Sequence, residues 1–173
     1  MMNQQLLKYK MELQEKYRQT RNKSAQCFQN ACNYMPGGDT RTATFFEPYP
    51  HFIERGEGQF IYDVDGNKLL DFQNNYTALI HGHGHRQTVE AVCKQVKKGT
   101  AYSAPIELQS KLAELITERF DSVELVRFTN SGTEANMHVL LAARAYTGQK
   151  KVMKTAGGYH GTTDECEASV DPH

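Results

Sequence analysis

The chain has 173 residues, enough for one ordinary domain with a sizeable core, and its 20 basic and 20 acidic residues cancel. A neutral balance supplies no overall field that would draw it onto nucleic acid or an anionic membrane, and no apolar run approaches a bilayer span. Cys27, Cys32, Cys93 and Cys166 are scattered without a C-x-x-C pair, and the polar N-terminal stretch holds no apolar signal core. A cytoplasmic protein with reduced thiols is therefore expected.

Residues 1–35 read as a helical arm with a break near Arg21-Asn22-Lys23. Leu6, Leu7, Met11 and Leu13 give its first part only a thin apolar stripe. Ser24 is placed to cap a second helix carrying Cys27, Phe28, Ala31 and Tyr34, which Pro36-Gly37-Gly38 ends. The irregular run 39–44 follows and holds one conspicuous cation, Arg41. Residues 36–80 then form a small antiparallel sheet segment, with strands expected at His51–Arg55, Phe60–Val64 and Lys68–Phe72. Asp65-Gly66 supplies a strong hairpin signal between the last two. The alternation of Phe60, Tyr62 and Val64 predicts one buried face.

From residue 81 to 173 the pattern becomes helix and strand in alternation. After the loop Ile80-His81-Gly82-His83-Gly84-His85, a helix carries Val89, Val92, Cys93 and Val96. The next carries Leu108, Leu112, Leu115 and Ile116, with Pro105 in its first turn. Strands are expected at Leu125–Phe128 and Lys151–Lys154. The fold class is thus α/β, the beginning of a parallel sheet that two strands leave unfinished.

Between those strands lies the stretch that organises the chain. Ser131-Gly132-Thr133 makes a tight turn, and a helix from Glu134 carries Ala135, Val139, Ala142, Ala143 and Tyr146 before Gly148 closes it. A strand, a small polar loop and a helix start make an anion pocket. Backbone N–H groups point outward there, hydroxyls add donors, and glycine lets an anion approach the backbone. The same residues also suit a simple helix cap, with Ser131 or Thr133 capping and Glu134 supplying first-turn charge.

Seven motifs then occur in one order: Met35-Pro36-Gly37-Gly38, Arg55-Gly56-Glu57-Gly58, Tyr62-Asp63-Val64-Asp65-Gly66-Asn67, His81-Gly82-His83, Ser131-Gly132-Thr133-Glu134-Ala135, Ala142-Ala143-Arg144-Ala145-Tyr146-Thr147-Gly148 and Gly158-Tyr159-His160-Gly161. Together they resemble the N-terminal part of a class III, fold type I pyridoxal-phosphate aminotransferase. The nearest branch holds glutamate-1-semialdehyde aminomutase and the β-amino-acid aminotransferases. The resemblance covers residues 24–165 and makes residues 81–173 the first part of the cofactor-binding large domain.

The resemblance implies pyridoxal 5'-phosphate as cofactor, with Ser131, Gly132 and Thr133 at its phosphate, Tyr159 against the ring face and His160 close by. It implies a small amino acid, with a β-amino acid as one candidate, as donor, a keto acceptor, and a homodimer. Arg41 resembles the arginine with which β-amino-acid aminotransferases hold the substrate carboxylate, a task suited to two parallel hydrogen bonds. A solvated surface arginine is the plainer reading of Arg41, and a core aromatic the plainer reading of Tyr159. Residues 74–80, Asn-Asn-Tyr-Thr-Ala-Leu-Ile, lack the Gly-Ser-Trp-Gly-Pro-like segment of the aminomutases, and Arg86 stands where the family has proline.

No catalytic residue is assigned. The Schiff-base lysine and the aspartate at the pyridine nitrogen are expected beyond His173, so the 173-residue chain is expected to be inactive alone. Lys151 and Lys154 precede the Gly-Tyr-His-Gly motif and do not match the lysine's position. Two other readings remain: a non-catalytic truncated subunit, and a metal-binding module at His81, His83 and His85, for which no carboxylate or cysteine lies at ligand spacing.

Overall fold

A computed structural model describes residues 4–41 and 44–168, which fall in two compact units, Met1–Ala101 and Tyr102–His173. No described helix is long and apolar enough to cross a membrane.

The first unit opens with α1 (Gln4–Thr20) and α2 (Asn22–Cys32), and the expected break falls on Arg21, whose φ of −139° and ψ of 49° are not helical. Leu6, Leu7, Met11 and Leu13 of α1 are all exposed. Ser24 does not cap α2. It lies inside the helix and is completely buried. The cap comes from a distant carboxylate instead: Asp65 accepts from Lys23 N (2.7 Å), Ser24 N (3.0 Å) and Ser24 Oγ (2.6 Å). A full negative charge on the orphan N–H groups outcompetes a neutral hydroxyl.

That carboxylate belongs to the turn of a hairpin. Strands β1 (Ile53–Glu57), β2 (Phe60–Asp63) and β3 (Lys68–Leu70) form one antiparallel sheet in that order, with Phe60 opposite both Glu57 and Leu70. The expected alternation has the right period, yet the deepest side chain is Asp63 on the other face. Phe60 and Tyr62 stay half-buried beneath cations, with Lys68 Nζ 3.8 Å and the Arg55 guanidinium 3.5 Å from their ring centroids. Asp63 is held because its carboxylate accepts from Asp65 N (3.1 Å), Asn67 N (2.7 Å) and Asn67 Nδ2 (2.8 Å), and Arg21 Nε lies 3.4 Å away. Arg21 in turn lies over the Tyr17 ring at 4.5 Å, and Tyr17 meets Phe46 and Tyr49 edge to face. Burial pushes the Tyr17 phenol up to about 12.

The loop of alternating histidines closes onto this sheet. Gly58 and His83 exchange two backbone hydrogen bonds, 2.9 and 2.8 Å, and His83 Nε2 lies 2.7 Å from Asp71 Oδ2. The His83 ring occupies the space a side chain at residue 56 would need, since a Cβ there would stand 2.4 Å from His83 Cγ. Helix α3 (Arg86–Val96) completes this unit.

The second unit contains α4 (Glu107–Arg119), α5 (Gly132–Thr147) and the short α6 (Asp164–Glu167). Pro105 lies just outside α4, whose N-cap is Ile106. Neither Leu125–Phe128 nor Lys151–Lys154 forms a ladder, and the antiparallel sheet of the first unit is the only sheet among the described residues. A parallel strand needs a neighbour to receive its backbone bonds, and no described segment pairs with either run. Leu125 and Met153 stand open accordingly, each more than nine-tenths exposed.

Candidate functional site

Helix α5 begins with a local signal that the structure uses in full. Ser131 adopts extended backbone angles and its Oγ accepts from Glu134 N at 3.2 Å, while the Glu134 carboxylate accepts from Asn130 N at 2.6 Å. Ser131 O also receives Ala135 N at 3.1 Å. The Ala135 bond is the first regular turn of the helix, and of the orphan N–H groups ahead of it that of Glu134 is satisfied by the Ser131 hydroxyl. Those of Gly132 and Thr133 have no acceptor among the described residues.

The capping role of Ser131 leaves hydrogen-bond donors unspent at this helix end. Its hydroxyl accepts from the helix through an oxygen lone pair, which leaves its proton free to donate outward. Around Gly132 a Cβ would meet nothing within 4 Å, so the approach to the two free N–H groups is open.

The Gly-Tyr-His-Gly loop comes to this same helix end. Gly161 is buried against Thr133, where an added Cβ would lie 2.6 Å from Thr133 Oγ1 and 2.8 Å from its Cα. Its φ of 99° is a second reason for glycine there. One helical turn further on, Asn136 Nδ2 donates to the His160 carbonyl at 2.8 Å. The structure thus brings Ser131, Gly132, Thr133 and His160 together at one end of α5, with the Tyr159 ring about two-thirds exposed on the loop. The Asn136 contact was not anticipated. Its signal was the three-residue spacing from Thr133, which sets both side chains on one helix face.

A cavity of about 450 Å³ lies alongside, lined by Asn136, Val139, Lys154, His160 and Cys166 among others, but not by Ser131, Gly132 or Thr133. Lys154 is engaged there, its Nζ donating to the Cys166 carbonyl at 2.6 Å.

In the first unit, Arg41 has its backbone fixed and its side chain exposed. Asp39 Oδ1 accepts from Thr40 N (2.6 Å) and Arg41 N (3.0 Å), and the Thr44 hydroxyl bonds both the other Asp39 oxygen and the Arg41 carbonyl. These bonds, that of Thr44 foremost, hold the Asp39 carboxyl below the usual carboxylate range. Thr42 and Ala43 of the same run lie outside the described residues. The three loop histidines do not converge: His83 faces Asp71, while His81 and His85 stack on each other with ring centroids 4.7 Å apart. Among the described residues no group of three metal-type ligands forms.

Residues 43–172 match the family model of aminotransferase class-III. The chain belongs to the class-III aminotransferase family. It is 46% identical over 145 residues to a glutamate-1-semialdehyde 2,1-aminomutase 2 from Bacillus mycoides (strain KBAB4), a match covering 82% of this chain and 34% of that protein. Among solved structures, an omega-transaminase from Sphaerobacter thermophilus is 51% identical with a TM-score of 0.82, over 84% of this chain and 33% of that one. A β-phenylalanine aminotransferase from Variovorax paradoxus is 36% identical with a TM-score of 0.86, over 94% of this chain and 39% of that one. These likenesses make the chain part of a fold type I α/β architecture, and it spans about a third of the length of the curated relatives it matches.

Proposed function

We propose that this class-III aminotransferase chain carries the phosphate-binding and ring-contacting part of a pyridoxal-phosphate site for amino-group transfer. The observation that carries the reading is the start of α5, where two backbone N–H groups without acceptors stand beside the Ser131 hydroxyl, with open space above Gly132. A phosphate monoester suits that set, because the helix dipole and three donors meet a dianion. The Thr133 hydroxyl stands against Gly161 and joins the donors from the loop side.

When bound, pyridoxal phosphate withdraws electrons from the carbon that bears the transferred nitrogen. The chain's own residues bind and orient. Tyr159 offers a flat face to the ring and His160 stands beside it. In the first unit, taken by itself, the exposed Arg41 is a guanidinium suited to a substrate carboxylate. The family likeness favours a small amino acid as substrate, with a β-amino acid suggested by the likeness to the β-phenylalanine enzyme, a keto compound as acceptor, and a homodimer as the working form. Intramolecular transfer of the aminomutase kind is the second reading, favoured by the 46% identity to the Bacillus mycoides protein.

The phosphate pocket has a direct test. Nine tyrosines and no tryptophan make tyrosine fluorescence the signal for titrating pyridoxal phosphate into the purified chain. Binding should saturate, and pyridoxal without its phosphate should bind at least about tenfold more weakly, the worth of one charge-assisted hydrogen bond. Equal affinity for the two compounds would overturn the phosphate assignment.

A further inference from the structure

We infer that Asn136 is a positioning residue that fixes the cofactor loop through the His160 backbone. The inference rests on the pyridoxal-phosphate reading above and names a residue that neither the phosphate nor the ring contacts include.

Three observations carry it. The Asn136 Nδ2 bond to the His160 carbonyl, 2.8 Å, links the helix to the loop across 24 residues of sequence. The next peptide brings Gly161 onto Thr133, close enough to exclude any side chain. Thr162 N reaches towards Thr133 Oγ1 at 3.4 Å, at the long end of hydrogen bonding. Thr133 and Asn136 share one face of α5, and together they hold residues 160–162 from two points one turn apart.

Two points fix an orientation where one permits rotation. With only the Gly161 contact, the loop could turn about residue 161 and carry the exposed Tyr159 ring with it. With the carbonyl of residue 160 tied as well, Tyr159 is held in a set relation to the free N–H groups of Gly132 and Thr133. A ligand that bonds through its phosphate at one end and through its ring at the other gains from having both contacts preset. The amide suits this task because it donates to a carbonyl, which an ionised carboxylate cannot do.

The test uses the whole chain and titration with pyridoxal phosphate, together with the circular dichroism induced in the bound cofactor's band. Asn136→Asp keeps the side chain's size and removes the donor, and Asn136→Ala removes the group. Each should weaken binding about tenfold, as loss of one hydrogen bond in a two-point clasp predicts, and should reduce the induced dichroism. In a Tyr159→Ala background the same Asn136→Asp change should cost less than about twofold, because its effect passes through the ring it positions. Additive effects, unchanged binding, or loss of far-ultraviolet helix signal in both Asn136 variants would overturn the positioning role alone. Failure of the unsubstituted chain to bind would instead overturn the pyridoxal-phosphate reading, and this inference with it.

Discussion

The hairpin of the first unit and the two extended runs of the second are built from similar apolar sequence, and only the hairpin forms a sheet. β2 finds partners within a few residues on either side, through turns whose backbone the chain itself satisfies. Leu125–Phe128 and Lys151–Lys154 are as extended in pattern, but a parallel ladder requires neighbours that no local turn can deliver. Strand propensity writes the run, and connectivity decides whether it pairs.

The same contrast governs polar groups. In the hairpin they are answered from within the fold: the buried Asp63 by Asn67 and Arg21, the half-buried Asp65 by the start of α2. Asp63→Ala breaks this most directly. It leaves the Asn67 and Asp65 N–H groups without their acceptor and Arg21, 16% exposed, without its counter-charge. Destabilisation of about 3 kcal/mol is expected, read as a lower urea midpoint with loss of near-ultraviolet tyrosine signal. A change below about 1 kcal/mol would mean that the network is incidental to the fold.

What the sequence disclosed follows from this distinction. The helix break at Arg21, the Asp65-Gly66 turn, the Ser131 cap and the Gly148 terminus are local events, and local chemistry marked them. Ser24 looked like a cap because capping is a local habit of serine. The structure gave that task to Asp65, 41 residues away, and no spacing rule reports such a contact. In the site, Ser131-x-x-Glu134 was legible as a helix start, while the Asn136 bond to His160 spans two segments whose proximity appears only after folding. Arg41 is a different case. Its sequence context named a cation in an irregular run, and what the fold adds is the Asp39 turn that fixes its backbone.

Acid separates the two units more gently. The Asp71 carboxyl is held below its usual range first by Asn74 N and then by His83, and at Asp65 the bonds from Ser24 and Lys23 outweigh the opposing push of burial. Both pKa values are lower folded than unfolded, so the unfolded chain binds more protons at low pH. Their contribution is complete above the ordinary carboxylate range, and it falls away as pH drops through the folded values. Stability of the first unit should therefore decline below about pH 4, and Asp65→Asn should flatten that decline. Glu165 in the second unit is also lowered, chiefly by Arg144, but it sits at the surface, where salt screens it. Unfolding of each unit followed against pH at low and high salt tests this, and an acid limb that Asp65→Asn leaves unchanged would refute it.

The smallest effect is expected where the sequence looks most like a core. Leu108, Leu112 and Leu115 stand at helical spacing on α4 and would be taken as a buried stripe, yet each is about half exposed. An apolar side chain stabilises in proportion to the area it removes from water, and half-exposed leucines on an uncovered face remove little. Leu112→Gln should therefore change the unfolding free energy by less than about 0.5 kcal/mol, against about 3 kcal/mol for the buried carboxylate of Asp63. A cost near that of a core leucine, about 2 kcal/mol or more, would mean that this face is covered in solution by a surface beyond the described residues. Helical periodicity shows that a segment is built to bury one face, and burial itself is a property of what meets that face.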